Sequence, residues 1–196
     1  LAKFNMSVNC TDEFMTLVNL GDPDAEWNLE FPNTKHPKYK EEWFGNIKNW
    51  KAKGYETIVY STVKVQWLWN LIMESTYNRN EPGVLFLDRA NSFNPLSYAE
   101  FILSTNPCGE QTLPAGGVCD LGTTNLTQYV RPDGKGFDIP KLTAAVKTLV
   151  RFLDNVNSRS RAPLPQYEYS MQNKRRIGCG VMGYASSLFM MRVRFG

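Results

Sequence analysis

Histidine is almost missing from this chain: His36 is the only one in 196 residues. No two cysteines form a Cys-x-x-Cys pair, and the four present, Cys10, Cys108, Cys119 and Cys179, are spread along the sequence. A structural zinc site needs four clustered soft ligands, and this spacing does not offer them. Four cysteines are also too sparse for a secreted disulfide scaffold. No hydrophobic run approaches the roughly 18 residues of a membrane span, and no signal peptide is visible. The three Asn-x-Ser/Thr sequons, at Asn5, Asn9 and Asn125, therefore read as chance matches. A cytosolic compartment is expected, where a cysteine pair is more often catalytic than structural. The net charge of +3 is too small to argue for nucleic acid or a membrane surface as a partner.

What is present is a globular composition. Hydrophobic residues make up 42% and aromatic residues 13%, which excludes a disordered tail, since such a chain can bury enough apolar surface to offset its entropy. The sequence opens on Leu1 rather than Met and closes on Val193-Arg194-Phe195-Gly196 with no tail composition. An internal fragment of a longer polypeptide, residues 1–196 within one domain, is the expectation.

Along the chain, Phe4 to Val8 alternates apolar and polar, as a strand does. Thr11 is placed to cap a helix with Asp12 and Glu13 in its first turn and Gly21 at its end. Residues 22–55 are rich in Pro, Asn and Lys and read as a long excursion with little regular structure. Val63 to Tyr77 reads as a helix, with Leu68, Leu71, Ile72 and Ser75 on one face and Trp67 and Trp69 as core. Glu81-Pro82-Gly83 is a turn. Val84 to Leu87 is a short apolar run that suits a strand of a parallel sheet, buried on both faces. Residues 101–130 read as strand, loop and strand, and Pro132-Asp133-Gly134 as a turn. Asp138 is placed to cap a helix reaching about Asn157, with Pro140 in its first turn and a stripe through Leu142, Ala145, Val146, Leu149, Phe152, Leu153 and Val156. Arg175 to Val181 reads as a strand, followed by a helix from Gly183. Strands alternating with helices imply an α/β domain.

The chemistry concentrates at Asn106-Pro107-Cys108-Gly109-Glu110. In an extended loop the side chains at i, i+2 and i+4 share one face, roughly 6 to 7 Å apart. A thiol, a carboxylate and an amide would then converge at a loop tip stiffened by Pro107 and loosened by Gly109. The thiol is a hydrogen-atom or nucleophilic centre, the carboxylate a proton acceptor and the amide an orienting donor. Cys119 follows eleven residues later, where the chain returns from the loop. Composition alone also allows a plainer reading, with Cys108 as a small buried hydrophobe among ordinary turn residues.

That stretch, followed by Cys119-Asp120-Leu121-Gly122-Thr123-Thr124-Asn125-Leu126, resembles the active-site finger loop of ribonucleotide reductases. The family pattern is Asn-x-Cys-x-Glu, then Cys-Asn-Leu-Gly-Ser-x-Asn-Leu. Phe4 to Val8 with Thr11 to Met15, Glu81 to Asp88, and Arg175 to Gly183 resemble further family segments in the same order. The resemblance implies a part of a ten-stranded α/β barrel, with residues 106–118 as a loop entering its centre. It implies ribonucleotide as substrate and these roles: Cys108 as the thiyl radical that takes the 3′ hydrogen, Glu110 as acceptor of the 3′ hydroxyl proton, and Asn106 as a hydrogen-bonding partner of the sugar hydroxyls. Cys119 would be one of two reducing thiols, the other lying outside this chain, with a thioredoxin- or glutaredoxin-type reductant to restore them. Pro107 and Gly109 resemble the adenosylcobalamin-dependent class in particular, and a homodimer is within what the family implies.

Asp120 departs from the family's usual Asn, Thr123-Thr124 from Ser-Ile, and Cys179 from Leu. Cys179 is read as a small buried residue, and Cys10 matches nothing catalytic. Three rivals stand beside this reading. One is the class whose radical comes from a separate subunit. Another is a dinucleotide-binding oxidoreductase using the Gly178-x-Gly180-x-x-Gly183 match, whose plainer reading is close strand–helix packing. The last is a non-catalytic half of a split protein. Lys174-Arg175-Arg176 and Arg159-Ser160-Arg161 read as solvated charge rather than phosphate contacts.

Overall fold

In the computed structural model, residues 4–195 are described, so Leu1 and Gly196 lie outside the described residues. The chain folds as two compact units, Leu1–Ala115 and Gly116–Gly196. Strands and helices alternate as the α/β expectation requires, and among the described residues the strands pair two by two.

The first unit opens with β1 (Ser7–Asn9) and α1 (Asp12–Leu20). The Thr11 hydroxyl accepts from the Phe14 amide, and Gly21 closes the helix in the left-handed conformation at φ 68°. Both ends of α1 are therefore as the sequence foretells. The chain then forms β2 (Glu26–Pro32), α2 (Tyr39–Glu42), α3 (Ile47–Ala52), β3 (Thr57–Lys64) and α4 (Val65–Arg79). β2 and β3 pair antiparallel. The expectation of an irregular excursion over residues 22–55 is thus overturned. Trp27, Leu29 and Phe31 alternate on β2, four rings, His36, Tyr39, Trp43 and Tyr55, pack against a buried Trp50, and Phe31 joins them through Tyr39 and Trp43. Aromatic side chains bury much area each, so a handful outweighs the Pro, Asn and Lys between them. The Trp50 indole donates to the Glu56 carbonyl at 2.9 Å, which satisfies its one buried polar group.

A second cluster joins Cys10, Phe14 and Val65, with Val8, Trp27, Leu68 and Trp69 packed against it. Trp69 is therefore core as expected, whereas Trp67, on the opposite side of α4, is 55% exposed. After α4 come β4 (Gly83–Leu85) and α5 (Leu87–Ser92). β4 runs parallel to β1, Val8 beside Val84. The parallel pairing is as anticipated, but β4 is half-buried rather than covered on both faces, and Leu87 belongs to the helix. β5 (Ile102–Thr105) and β6 (Thr112–Pro114) complete the unit as an antiparallel hairpin.

The second unit holds β7 (Asp120–Asn125), α6 (Ile139–Arg159), α7 (Pro165–Tyr169), a π-helical turn over Ser170–Lys174, β8 (Ile177–Met182) and α8 (Tyr184–Met190). Asp138 caps α6 by accepting from the Lys141 amide at 3.0 Å. β7 and β8 are parallel and in register from Asp120 beside Ile177 to Asn125 beside Met182. α6 lies on them through Leu149 and Leu153, while Phe152 falls off the stripe and is 63% exposed. Arg175, in the basic run, bonds the Asp154 carboxylate at 2.8 Å and the Ser158 hydroxyl at 2.8 Å, so it ties the π-helical turn to α6.

Candidate active site

The hairpin β5–β6 presents Asn106–Gln111 at its tip. The Gly109 amide donates to the Asn106 carbonyl at 3.0 Å, which closes a β-turn with Pro107 and Cys108 at its two central positions. Proline at the second turn position and glycine at the fourth, here with φ 82°, are what such a turn favours. The extended geometry expected for Asn106, Cys108 and Glu110 therefore does not form: a turn breaks the two-residue alternation on which the shared face depended. Strand β6 also begins at Thr112, so the loop is six residues, 106–111, not 106–118.

Asn106 clamps the base of the tip. Its amide donates to the Gln111 carbonyl at 3.1 Å, and its Oδ1 accepts from the Gln111 amide at 3.0 Å. Its side-chain nitrogen has no acceptor among the described residues, so it keeps the donor that the sequence reading asked of it. Cys108 is exposed at the turn and is not in a disulfide. That rules out the plainer reading of a small buried hydrophobe. Glu110 is exposed as well, with no hydrogen bond or ion pair among the described residues.

Pro107, Cys108 and Gly109 form one wall of a cleft of about 410 Å³. The facing walls come from β1 and from the turn into β4, and they carry the polar side chains Asn5, Ser7, Asn80 and Glu81. Glu81 Oε2 accepts from the Met6 amide at 3.2 Å, which fixes the carboxylate against β1. Sequence reasoning passed over Asn80 and Glu81, because a turn sequence gives no sign of what its polar side chains will border. A smaller cleft of about 190 Å³ continues along β1 past Ser7 and Asn9 to Leu103 and Thr105.

Cys119 lies in the second unit, one residue before β7, half-buried, with Sγ 3.5 Å from the Asp120 carbonyl. Asp120 Oδ1 accepts from the side-chain nitrogen of Asn157, which is 3% exposed, while Asp120 Oδ2 is buried with no hydrogen-bond partner. Cys179 is exposed, which corrects the expectation of a small buried residue: β8 is an edge strand, and its distal four residues are uncovered. Cys10 is the buried cysteine, and burial pushes its thiol up from the ordinary range.

The glycine run at β8 is a packing device. A Cβ on Gly178 would lie 2.2 Å from Leu121 Cδ2, and one on Gly183, at φ 72°, would lie 2.6 Å from Asn125 Oδ1. The plainer reading of Gly178, Gly180 and Gly183 is thereby supported over a dinucleotide site. Among the described residues no group of three or more His, Cys, Asp or Glu is placed to hold a metal ion. No helix among them is long and apolar enough to cross a membrane.

The chain is 33% identical, over its whole length, to the vitamin B12-dependent ribonucleoside-diphosphate reductase of Thermoplasma acidophilum, of which it covers 22%. It is 36% identical over 128 residues to the protein of the same name from Mycobacterium tuberculosis, covering 65% of this chain and 18% of that one. It is 30% identical to the ribonucleoside-diphosphate reductase large subunit of Danio rerio over 94% of its length, covering 23% of that protein. The chain thus spans about a fifth of the length of these relatives. The family model for the ribonucleotide reductase barrel domain matches residues 1–196, and the chain belongs to that family.

Proposed function

We propose that the polypeptide containing this chain reduces ribonucleoside diphosphates to deoxyribonucleotides by a thiyl-radical mechanism, and that residues 1–196 are an internal piece of its catalytic barrel domain. The observation that carries this reading is the exposed Cys108 thiol at a stiff hairpin tip, bordering a cleft of nucleoside-sized volume, about 410 Å³, in a chain matched end to end by the barrel family. In its thiyl form Cys108 takes the 3′ hydrogen atom of the ribose. Glu110 accepts the 3′ hydroxyl proton, and the Asn106 side-chain nitrogen donates to a sugar hydroxyl. The 2′ hydroxyl leaves as water. Cys119 and a second thiol outside this chain supply two electrons and two protons, one proton leaving in that water and the other hydrogen ending on the 2′ carbon, and they end as a disulfide; Glu110 returns its proton to the 3′ oxygen and Cys108 its hydrogen to the 3′ carbon. A thioredoxin- or glutaredoxin-type reductant restores the two thiols. Cytoplasm is the compartment that keeps such thiols reduced, and a homodimer is the proposed assembly.

The names of two of these relatives, from Thermoplasma acidophilum and Mycobacterium tuberculosis, carry vitamin B12 dependence, and the residues at the tip fit such a group. Cys108 is open to solvent, and a Cβ on Gly109 would meet nothing within 4 Å, so a large planar group can approach the sulfur. Pro107, Cys108 and Gly109 are the residues that would meet adenosylcobalamin. When bound, it supplies homolytic one-electron chemistry at the thiol. The test is to assay the full-length polypeptide for deoxynucleotide formation with a dithiol reductant, with and without adenosylcobalamin. Product that depends on adenosylcobalamin is expected. Full activity without it, when a diiron subunit is supplied, would assign the radical source to the other class, and no product under either condition would overturn the reading.

A further inference from the structure

We propose that Asn91 is a positioning residue for the radical step: its side-chain amide holds the hairpin β5–β6 at its base and so sets where Cys108 stands across the cleft. This deepens the reductase reading and rests on it. Asn91 lies on α5, and Ile102 opens β5. Asn91 Oδ1 accepts from the Ile102 amide at 2.8 Å. Its Nδ2 donates to the Ile102 carbonyl at 2.9 Å and to the Leu87 carbonyl at 2.9 Å. One side chain thus pairs with both backbone groups of Ile102, as a neighbouring strand would. Ile102 is 5% exposed, so water is poorly placed to replace these bonds.

Among the described residues, the two bonds to Asn91 are the hydrogen bonds that join β5–β6 to the rest of the first unit. β5 pairs with β6 alone, and the cleft of about 190 Å³ lies between it and β1. The Leu87 amide donates to Asn9 Oδ1 at 3.1 Å, which ties α5 to β1, the strand whose Ser7 faces Cys108. Asn91 therefore links the wall of the cleft to the hairpin that carries the thiol. Leu103, which the β5–β6 ladder skips, packs on Gly45, but an apolar contact resists separation without fixing direction. Asn106 lies roughly 13 Å beyond Ile102 at the rise of an extended strand, so a tilt of about 5° at the base moves the tip by about 1 Å. Hydrogen-atom transfer needs reacting atoms about 3 to 3.5 Å apart, and a 1 Å error can cost about a hundredfold. Nucleotide binding is spread over many contacts and tolerates the same shift better.

The experiment compares deoxynucleotide formation by full-length wild type, Asn91→Ala and Asn91→Gln, with kcat expressed per folded protein well below the melting temperature. Asn91→Ala removes both bonds to Ile102. It is expected to lower kcat about a hundredfold while KM rises less than about tenfold, and to speed hydrogen exchange at the Ile102 amide. Asn91→Gln keeps an amide, and with it the fold, but its added methylene displaces Ile102, so kcat is expected to fall about tenfold. A residue that only stabilises the fold would behave otherwise: a lower melting temperature in Asn91→Ala, an unchanged kcat per folded protein, and full rescue by glutamine. Full kcat in either folded variant would overturn the proposal, and Asn91→Gln decides alone if Asn91→Ala does not fold. A rise in KM as large as the fall in kcat would mean lost binding and would overturn it too, as would unchanged exchange at Ile102. A wild-type protein that makes no deoxynucleotide would overturn the reductase reading itself, whereas an active wild type with an equally active Asn91→Ala overturns this role alone.

Discussion

Asn157, on the long helix α6, donates through its side-chain nitrogen to Asp120 Oδ1 at 3.2 Å, and so anchors the first residue of β7 directly after Cys119. The same nitrogen lies 3.5 Å from the Arg176 carbonyl before β8, and the Asn157 carbonyl accepts from Gln172 at 3.0 Å. One amide thus fastens the starts of both parallel strands to the helix that packs on them. Asn157→Leu removes the donor and leaves Asp120 Oδ1 buried without a partner, at a cost of about 2 kcal/mol. Asp120→Asn keeps an acceptor facing Asn157 and is expected to change stability by less than about 1 kcal/mol. Urea denaturation of the two variants checks this. Equal losses would show that the bond does not fasten the strands.

Two glycines with left-handed backbone separate strain from crowding. Gly109, at φ 82°, has nothing within 4 Å of a built Cβ, so Gly109→Ala meets only the backbone penalty, about 1 kcal/mol. Gly183, at φ 72°, meets Asn125 Oδ1 at 2.6 Å as well, and Gly183→Ala is expected to cost about 3 kcal/mol. Denaturation midpoints of the two alanine variants decide it. If Gly109→Ala is the more harmful, the tip is packed in a way these distances exclude.

The four cysteines should react in an order set by exposure. Cys108 and Cys179 are exposed, Cys119 is half-buried and Cys10 is 2% exposed. The thiolate is the nucleophile, and burial raises the Cys10 thiol, so this residue is both shielded and protonated at neutral pH. Alkylation by iodoacetamide, followed by peptide mass spectrometry, is expected to label Cys108 and Cys179 first and Cys10 last. The sign of the Cys10 shift also fixes a stability effect. A raised folded-state value means the contribution is whole below the unfolded thiol's pKa and is lost as pH rises through the folded one. Cys10→Ala should therefore flatten the decline in stability on the alkaline side. Early labelling of Cys10 would contradict its placement in the core.

Cys108 and Cys119 have different jobs in the proposed reaction, so their serine variants should fail differently. A hydroxyl O–H bond is too strong to yield a comparable radical, so Cys108→Ser in the full-length protein should release no 3′ hydrogen and make no product. Cys119→Ser keeps the radical thiol and Glu110 but removes one of the two reducing thiols. It is expected to start the radical step, then lose base from the substrate and inactivate the enzyme. Cys10→Ser and Cys179→Ser should cost only modest stability. The measurements are 3′-hydrogen release and deoxynucleotide yield. Product from Cys108→Ser, or normal turnover by Cys119→Ser, would refute the assignment of roles.

Local signals in the sequence carried through where they acted locally. Thr11 and Gly21 bound α1, and Asp138 starts α6, because caps depend on a few consecutive residues. The parallel pairing of the apolar run after Pro82 was legible too, as was the packing role of Gly178 and Gly183, where an added Cβ would crowd the side chains of Leu121 and Asn125. The segment Asn106–Glu110 that carries the resemblance lies at a hairpin tip, with Cys108 and Glu110 both exposed.

Tertiary structure decided what depends on partners distant in sequence. The hairpin β2–β3 and the ring cluster on Trp50 form because aromatics spread over residues 31–55 meet in space, and no window of the sequence holds them together. The turn at Asn106–Gly109 replaced an extended run because Asn106 bonds Gln111 across the hairpin, which spacing alone does not reveal. Glu81 came to border the cleft with Cys108, though the two stand far apart in the chain, because β4 pairs with β1 and the Met6 amide holds the carboxylate there. Residue type fixed what each group can donate or accept, and only the fold determined which groups share a cleft.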